Sequence, residues 1–186
     1  MPAALISRDE AIARIAEVFR RLGFEGASLA AITAVTGLGK GSLYNHFPGG
    51  KDEMGAEVLR HVGGWFETQV YAPLRGPAPP GVAVAAMFEA VEAYFRSGRR
   101  ICLVGAFALD ATRDRFAGQV QGYFADWVTA LETALQRGGV SEARSLAETT
   151  VAGIQGALVL ARALDDPAVF GRQLGLLQDR LQAALA

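Results

Sequence analysis

The sequence predicts an all-α protein, and three observations predict it. Apolar residues recur at three- and four-residue steps along most of the chain, the spacing that places them on one face of a helix. No segment alternates apolar and polar residues between hairpin-type turns, as half-buried strands would. Glycine and proline, 22 and 7 in number, cluster so as to cut the chain into helix-length pieces. The pieces number about nine, each within the ordinary range for globular helices.

Taken in order, Ser7 and Glu10 form a capping box that starts the first helix. Ile12, Ile15, Phe19 and Leu22 line its apolar face, and Gly23 ends it. Ser28 caps a second, short helix reaching Thr36, with Leu29, Ile32 and Val35 on its apolar side. Gly37-Leu38-Gly39 is a tight turn, and a third short helix follows from Lys40 to Phe47, stopped by Pro48-Gly49-Gly50. The fourth runs from about Lys51 to Tyr71, with Asp52 and Glu53 in its first turn, where carboxylates favour the positive end of the helix dipole. Pro73 is expected to end it, and residues 73–81, rich in proline and glycine, are expected to form a loop. Helical patterns resume at 82–96, 101–111 and 113–137, and Gly138-Gly139 interrupts them. The last two helices span 141–164 and 167 to the C-terminus, the latter started by Asp166-Pro167 as N-cap and first helical residue.

The composition bounds function only loosely. With 186 residues, half of them hydrophobic, the chain is long enough for a sizeable core in one or two domains. Its single cysteine, Cys102, cannot form an internal disulfide. Two widely spaced histidines add no metal-ligand pattern, so neither metal nor cofactor is expected. The longest apolar run, 101–109, falls well short of the roughly 20 residues a membrane span needs. The N-terminal residues lack a basic region followed by an apolar stretch, and a cytoplasmic location is the expectation. Net charge is −1, which does not announce nucleic-acid binding. Its distribution says more: no Asp or Glu occurs from Gly26 through Lys51, while Lys40, His46 and Lys51 do. A segment that approaches phosphates tolerates few carboxylates.

At about 100° per residue, Leu43 and Phe47 of the third helix fall together and pack inward. Asn45 then lies opposite them, with Gly41, Ser42, Tyr44 and His46 around it and Lys40 near the start. This face suits the DNA major groove: Asn pairs bidentately with adenine, Ser serves as donor or acceptor, and Gly41 permits close approach. Tyr44 and His46 carry polar tips suited to phosphate oxygens, and Lys51 adds a cation at the start of the next helix.

The run from Phe24 to Pro48, and above all Gly37-Leu-Gly-Lys-Gly-Ser-Leu-Tyr-Asn-His-Phe47, resembles the DNA-binding domain of TetR/AcrR-type regulators. The extra residue in Pro48-Gly49-Gly50-Lys51 and the run Cys102-Leu103-Val104 resemble the LmrA/YxaF-like branch. The resemblance implies a three-helix helix-turn-helix domain over 1–50 and an α-helical effector-binding and dimerisation domain over 51–186. It implies base and nearby backbone contacts for Gly41, Ser42, Tyr44 and Asn45, and phosphate contacts for Lys40, His46, Lys51 and Ser28. Ala30, where the family often carries a polar residue, and Gly39, in place of a Ser cap, suggest fewer contacts per half-site.

By the same resemblance, the last two helices pair with those of a second subunit, and two recognition helices sit about 34–36 Å apart, or at a related spacing, on a pseudo-palindromic operator. Gly153, Gly156 and Ala157 permit close approach there, and Ile154, Leu158, Leu174, Leu177 and Leu181 supply apolar surface. An effector pocket among the middle helices has as candidates Trp65, Phe66, Met87, Phe88, Cys102, Phe107, Phe124 and Trp127, which would suit an apolar or aromatic molecule. The function implied is a ligand-responsive repressor, not an enzyme. Two other readings fit the residues: a dimeric small-molecule-binding protein without useful DNA binding, and a hydrolase using Ser42 and His46, one helical turn apart but without a partner carboxylate in the motif. Cys102 fits either a redox sensor or a small buried hydrophobe.

Overall fold

The computed structural model describes residues 6–186, so the first five residues of the expected N-terminal domain lie outside the described residues. The described chain is helical, without strands: α1 (Arg8–Gly26), α2 (Leu29–Thr36), α3 (Lys40–His46), α4 (Gly50–Phe66), a π-helical turn (Glu67–Tyr71), α5 (Ala72–Arg75), α6 (Pro80–Tyr94), α7 (Leu103–Leu109), a 3-10 turn (Ala111–Asp114), α8 (Ala117–Arg137), α9 (Ala143–Ala163) and α10 (Ala168–Leu185). The all-α expectation is borne out, and most boundaries differ from those expected by a residue or two.

The exception is instructive. Pro73 does not end the fourth helix; the helical run continues through the π turn into α5, ending at Arg75. A proline inside an α-helix clashes with the carbonyl four residues back. Here the preceding turn is widened, with the Ala72 N–H donating to the Glu67 carbonyl five residues back, and Pro73 becomes an early residue of α5. The loop shrinks to 76–79, and Pro80 opens α6.

The described chain divides into two compact units, 6–63 with 103–120, and 64–102 with 121–186. In the first, α1 to α3 form the helix-turn-helix. Ser7 accepts from Glu10 N, and Gly23, at φ 71°, breaks the helix one turn before its end. Phe19, Phe24, Phe107 and Phe116 form a ring cluster with centroids 5.2–5.6 Å apart for Phe24–Phe116, Phe107–Phe116 and Phe24–Phe107. All four are buried, each contributing about 1.5–3 kcal/mol by area removed from water. Gln119 Nε2 donates to the Ala56 carbonyl at 2.8 Å, and Arg115 pairs with Asp52 at 3.0 Å, so the 103–120 segment is fastened to α4.

In the second unit α10 packs on α9 and α6. Phe170, Leu174 and Leu181 of α10 and Ile154, Ala157 and Leu158 of α9 are buried there. Gln182 Nε2 donates to the Gly81 carbonyl at 2.9 Å, tying α10 to the start of α6. Among the described residues no helix is long and apolar enough to cross a membrane.

Candidate functional site

The turn between α2 and α3 is built from local chemistry. Ser28 caps α2 by accepting from Ala31 N at 3.1 Å. Gly37 takes φ 72°, a left-handed conformation that costs a residue bearing a Cβ, and its N–H closes the helix on the Thr33 carbonyl. The buried Thr36 hydroxyl donates to the Ile32 carbonyl at 2.8 Å and accepts from Leu38 N at 3.3 Å. From α1, Arg14 donates to the carbonyls of Val35 and Thr36 at 3.4 and 3.3 Å, covering the end of α2. These contacts fix the direction in which α3 leaves the turn. Gly39 caps α3 with no side-chain hydrogen bond.

On α3, Leu43 is buried and Phe47 behind it is buried too, as the helical spacing predicts. Lys40, Gly41, Tyr44 and Asn45 are exposed, and Ser42 and His46 are half-buried. No atom lies within 4 Å of where a Gly41 Cβ would sit, so its approach side is open. Tyr44 leans over the start of α4, its ring 3.7 Å from the position of a Gly50 Cβ. The His46 carbonyl accepts from Arg8 Nε at 3.2 Å, and the Arg8 guanidinium lies 5.1 Å from the centre of the Phe47 ring. Among the described residues no hydrogen bond joins Ser42 to His46.

Lys51, expected on a phosphate, is engaged inside the unit. Its ammonium donates to the Glu25 carbonyl at 3.1 Å and sits 4.7 Å from the Phe24 ring centre. Ser28 is exposed, with its hydroxyl proton still available after capping α2. At the start of α4, Glu53 accepts from Gly49 N at 2.7 Å and pairs with Arg8 at 3.2 Å. Arg8 and Arg60 also hold Glu57, and their hydrogen bonds, that from Arg60 first, keep its carboxyl below the usual glutamate range.

The residues expected to form an effector pocket divide between the units. Phe107 belongs to the ring cluster of the first. Phe66, Met87, Phe88, Cys102 and Trp127 are buried in the second, and Trp65 and Phe124 are half-buried. Phe66 is central: Tyr123 lies 4.8 Å, Tyr94 4.9 Å, Trp65 5.1 Å and Trp127 5.2 Å from it, centroid to centroid. Tyr71, Tyr94 and Tyr123 were not singled out by sequence. The signal was present in part, because Tyr123 and Trp127 stand four residues apart on α8. The Tyr71 hydroxyl donates to the Tyr123 carbonyl at 2.8 Å, and burial raises its pKa above the ordinary value. A cavity of about 460 Å³ lies elsewhere in this unit, lined by Arg99, Ile101, Ala161, Arg162 and Pro167 among others, none of them an expected pocket residue.

Burial revises the expected pairing face. Ile154, Ala157, Leu158, Leu174 and Leu181 are buried within the single chain, and Leu177 packs 3.0 Å from where a Gly153 Cβ would stand. Their apolar surface is used by the packing of α9 on α10. Of the expected set only Gly156 is exposed. It lies in a different stripe of small and apolar residues, Ala152, Gly156, Val159 and Ala163, with Val159 60% exposed. Leu164, just past the end of α9, and Leu176 on α10 are 64% and 63% exposed.

With this geometry in place, comparison with known proteins is specific. The model of the LmrA/YxaF-like C-terminal domain of transcriptional regulators matches residues 80–173, and that of the bacterial regulatory proteins of the tetR family matches residues 11–58. The HTH-type transcriptional regulator LmrA of Bacillus subtilis (strain 168) is 25% identical over 161 residues, 83% of this chain and 86% of that one. A TetR-family regulator from Streptomyces coelicolor superposes with a TM-score of 0.79 at 23% identity, over 96% of both chains. The regulator CifR, solved as a cysteine mutant with a 26-bp double-strand operator, superposes with a TM-score of 0.70 at 26% identity, over 100% of this chain and 98% of that one. The fold and its exposed α3 define a helix-turn-helix transcriptional regulator. The chain belongs to the LmrA/YxaF-like branch of the TetR family, as the motif at 37–47 and the run at 102–104 implied.

Proposed function

We propose that this regulator is a repressor that binds a pseudo-palindromic operator as a homodimer and is released by a small molecule. The observation that carries the reading is the exposed, acid-free face of α3: Lys40, Gly41, Tyr44 and Asn45, with Ser42 and His46 at its margin. Asn45 and Ser42 read base edges, Gly41 admits close approach, and Lys40, Tyr44, His46 and Ser28 meet the backbone. Lys51 joins them when a phosphate replaces the Glu25 carbonyl as its partner. The CifR likeness supports the reading, because that protein is bound to operator DNA.

Dimerisation runs through the exposed stripe of α9 with Leu164 and Leu176, where small residues let helices approach and exposed leucines gain from burial. A twofold axis there relates two α3 helices, the symmetry a pseudo-palindrome mirrors. The effector binds at the aromatic cluster around Phe66 and shifts the population between two separations of the DNA-binding units. DNA binding belongs to residues 1–50, effector binding and dimerisation to 51–186, and the setting is the cytoplasm. A catalytic Ser42–His46 pair has no hydrogen bond to support it.

The test is selection from random duplex DNA at about 0.1–0.2 M salt, where phosphate contacts still operate, repeated with Asn45→Ala. A recovered pseudo-palindrome that weakens with the variant supports the proposal. Recovery of no motif overturns it and leaves a ligand-binding protein without useful DNA binding.

A further inference from the structure

Helix α3 has little of its own to hold its direction. It is seven residues long, too short to be stable alone, and Gly39 caps it with no side-chain hydrogen bond. Burial of Leu43 and Phe47 decides which face of α3 points inward, but apolar contact is non-directional and leaves its tilt open. Beyond Phe47 the chain reaches α4 through Pro48-Gly49-Gly50, with Gly50 at φ 68°. Two successive glycines are a conformationally free link, so the covalent connection does not set the angle between α3 and α4 either.

The guanidinium of Arg8 spans that link. From the start of α1 its Nε donates at 3.2 Å to the carbonyl of His46, the last residue of α3. Its Nη2 lies 3.2 Å from Glu53 Oε1 and 3.2 Å from Glu57 Oε1, one turn apart on α4. The other Glu53 oxygen accepts from Gly49 N at 2.7 Å, inside the glycine link itself. The guanidinium also lies 5.1 Å from the centre of the Phe47 ring. A planar fork holds several partners in fixed directions at once, which an ammonium point charge does not. The side chains of Arg8, Glu53 and Glu57 are 39%, 29% and 12% exposed, so solvent screens the pairs only in part.

We infer that Arg8 is a positioning residue for operator readout: held on α4 by Glu53 and Glu57, it fixes the end of α3 across the two-glycine link and so sets the angle at which Asn45 and Ser42 meet base edges. The inference rests on the operator-binding reading above and adds the residue that aims α3. Hydrogen bonds to bases weaken steeply with misalignment. Binding to random duplex is carried by charge and tolerates a change of tilt. Loss of the Arg8 clamp therefore falls on discrimination between sequences.

The test uses the full-length protein with Arg8→Lys, which keeps the charge but not the fork, and Glu53→Gln, which keeps an oxygen for Gly49 N but not the ion pair. Amide hydrogen exchange reads the clamp without DNA: amides 46–50 are expected to exchange about threefold or more faster in both variants, while those of α2 keep their wild-type rates. Gel shifts at about 0.15 M salt, on the selected operator and on random duplex, read the aim. Operator affinity is expected to fall about three- to tenfold, and random-duplex affinity to change less than about twofold. A partly misfolded variant would weaken both alike, so the ratio separates positioning from a merely structural role. The double variant should lose little more than the worse of the single ones, since both act through one contact. Were Arg8 a phosphate contact, lysine would serve in its place and the ratio would stay at wild type. Were Glu53 only a repelling charge, glutamine would tighten binding to both duplexes. Either result overturns the inference. Unchanged exchange at 46–50 overturns it whether or not an operator is found, whereas accelerated exchange with no operator recovered overturns operator reading by α3 instead.

Discussion

Gly55 and Gly63 lie in the same helix, α4, yet alanine at each should act oppositely. A Cβ at Gly55 would stand 2.6 Å from Phe116 Cζ and 2.8 Å from Phe24 Cε2, distances that real Cβ atoms do not adopt. At Gly63 nothing lies within 4 Å. Replacing glycine by alanine inside a helix gains roughly 0.5–1 kcal/mol from backbone entropy alone. Overpacking two rings that are themselves wedged among Phe19 and Phe107 costs about 1–3 kcal/mol. Gly63→Ala is therefore expected to stabilise by about 0.5–1 kcal/mol, and Gly55→Ala to destabilise by roughly 0–2.5 kcal/mol. In a chain of this length each kcal/mol moves the melting temperature by about 2–4 °C. Calorimetry at one fixed protein concentration measures the separation, since association makes melting concentration-dependent. If Gly55→Ala raised the melting temperature as much as Gly63→Ala, the close seating of Phe116 and Phe24 on α4 would be refuted.

On the selected operator, Asn45→Ala should cost about 1–3 kcal/mol while barely changing affinity for random duplex, by gel shift. Lys40→Ala should weaken both alike and flatten the salt dependence by about one phosphate contact. Glu57, held below the ordinary glutamate value of 4.5 by Arg60 and Arg8, stabilises the fold above that pH and loses the contribution as pH falls through its lowered value. Glu57→Gln should thus lower stability by about 0.2–1 kcal/mol at neutral pH, with the difference from wild type closing in acid, by urea melts across pH. Val159→Glu, on the exposed stripe, should yield monomers by sedimentation and loosen operator binding while the chain still folds.

How far the sequence could be read depended on whether neighbouring residues or distant packing decided each feature. The α2–turn–α3 unit was legible because its determinants are local: the Ser28 cap, Gly37 at positive φ, and the inward pair Leu43 and Phe47. Pro73 misled because the π turn that accommodates it has no sequence signature of its own. The surface left free for pairing was hard to read for a different reason. Helix α9 is rich in Ala, Gly, Val and Leu on nearly every side, so periodicity could not tell the face buried against α10 from the face left exposed. An aromatic residue carries no label for which core it joins, and Phe107 packs in the ring cluster of the first unit. Tyr123 and Phe124 are adjacent in sequence, and only the four-residue step from Tyr123 to Trp127 marks which of them lies on the buried side.

The near-neutral charge of a DNA-binding chain is resolved by where its acids go. Glu25, Asp52 and Glu53 flank the acid-free window, close enough in sequence to spoil the field over α3. Each is held by a cation: Glu25 by Lys51 and Arg115, Asp52 by Arg115, Glu53 by Arg8. Arg115 serves two of the three and comes from the 103–120 segment, far along the chain but in the same compact unit. Removing it leaves two carboxylates less compensated beside the start of α4. Arg115→Ala should therefore weaken operator binding by about 0.2–1 kcal/mol, the range for exposed charge pairs. The loss should be greater at low salt than at 0.2 M or above, where the screening length falls below about 8 Å. Direct phosphate contact by Arg115 would instead reduce the slope of log affinity against log salt by about one, as Lys40→Ala does. Operator titrations across a salt series separate the two, and an unchanged low-salt affinity would refute the shielding role.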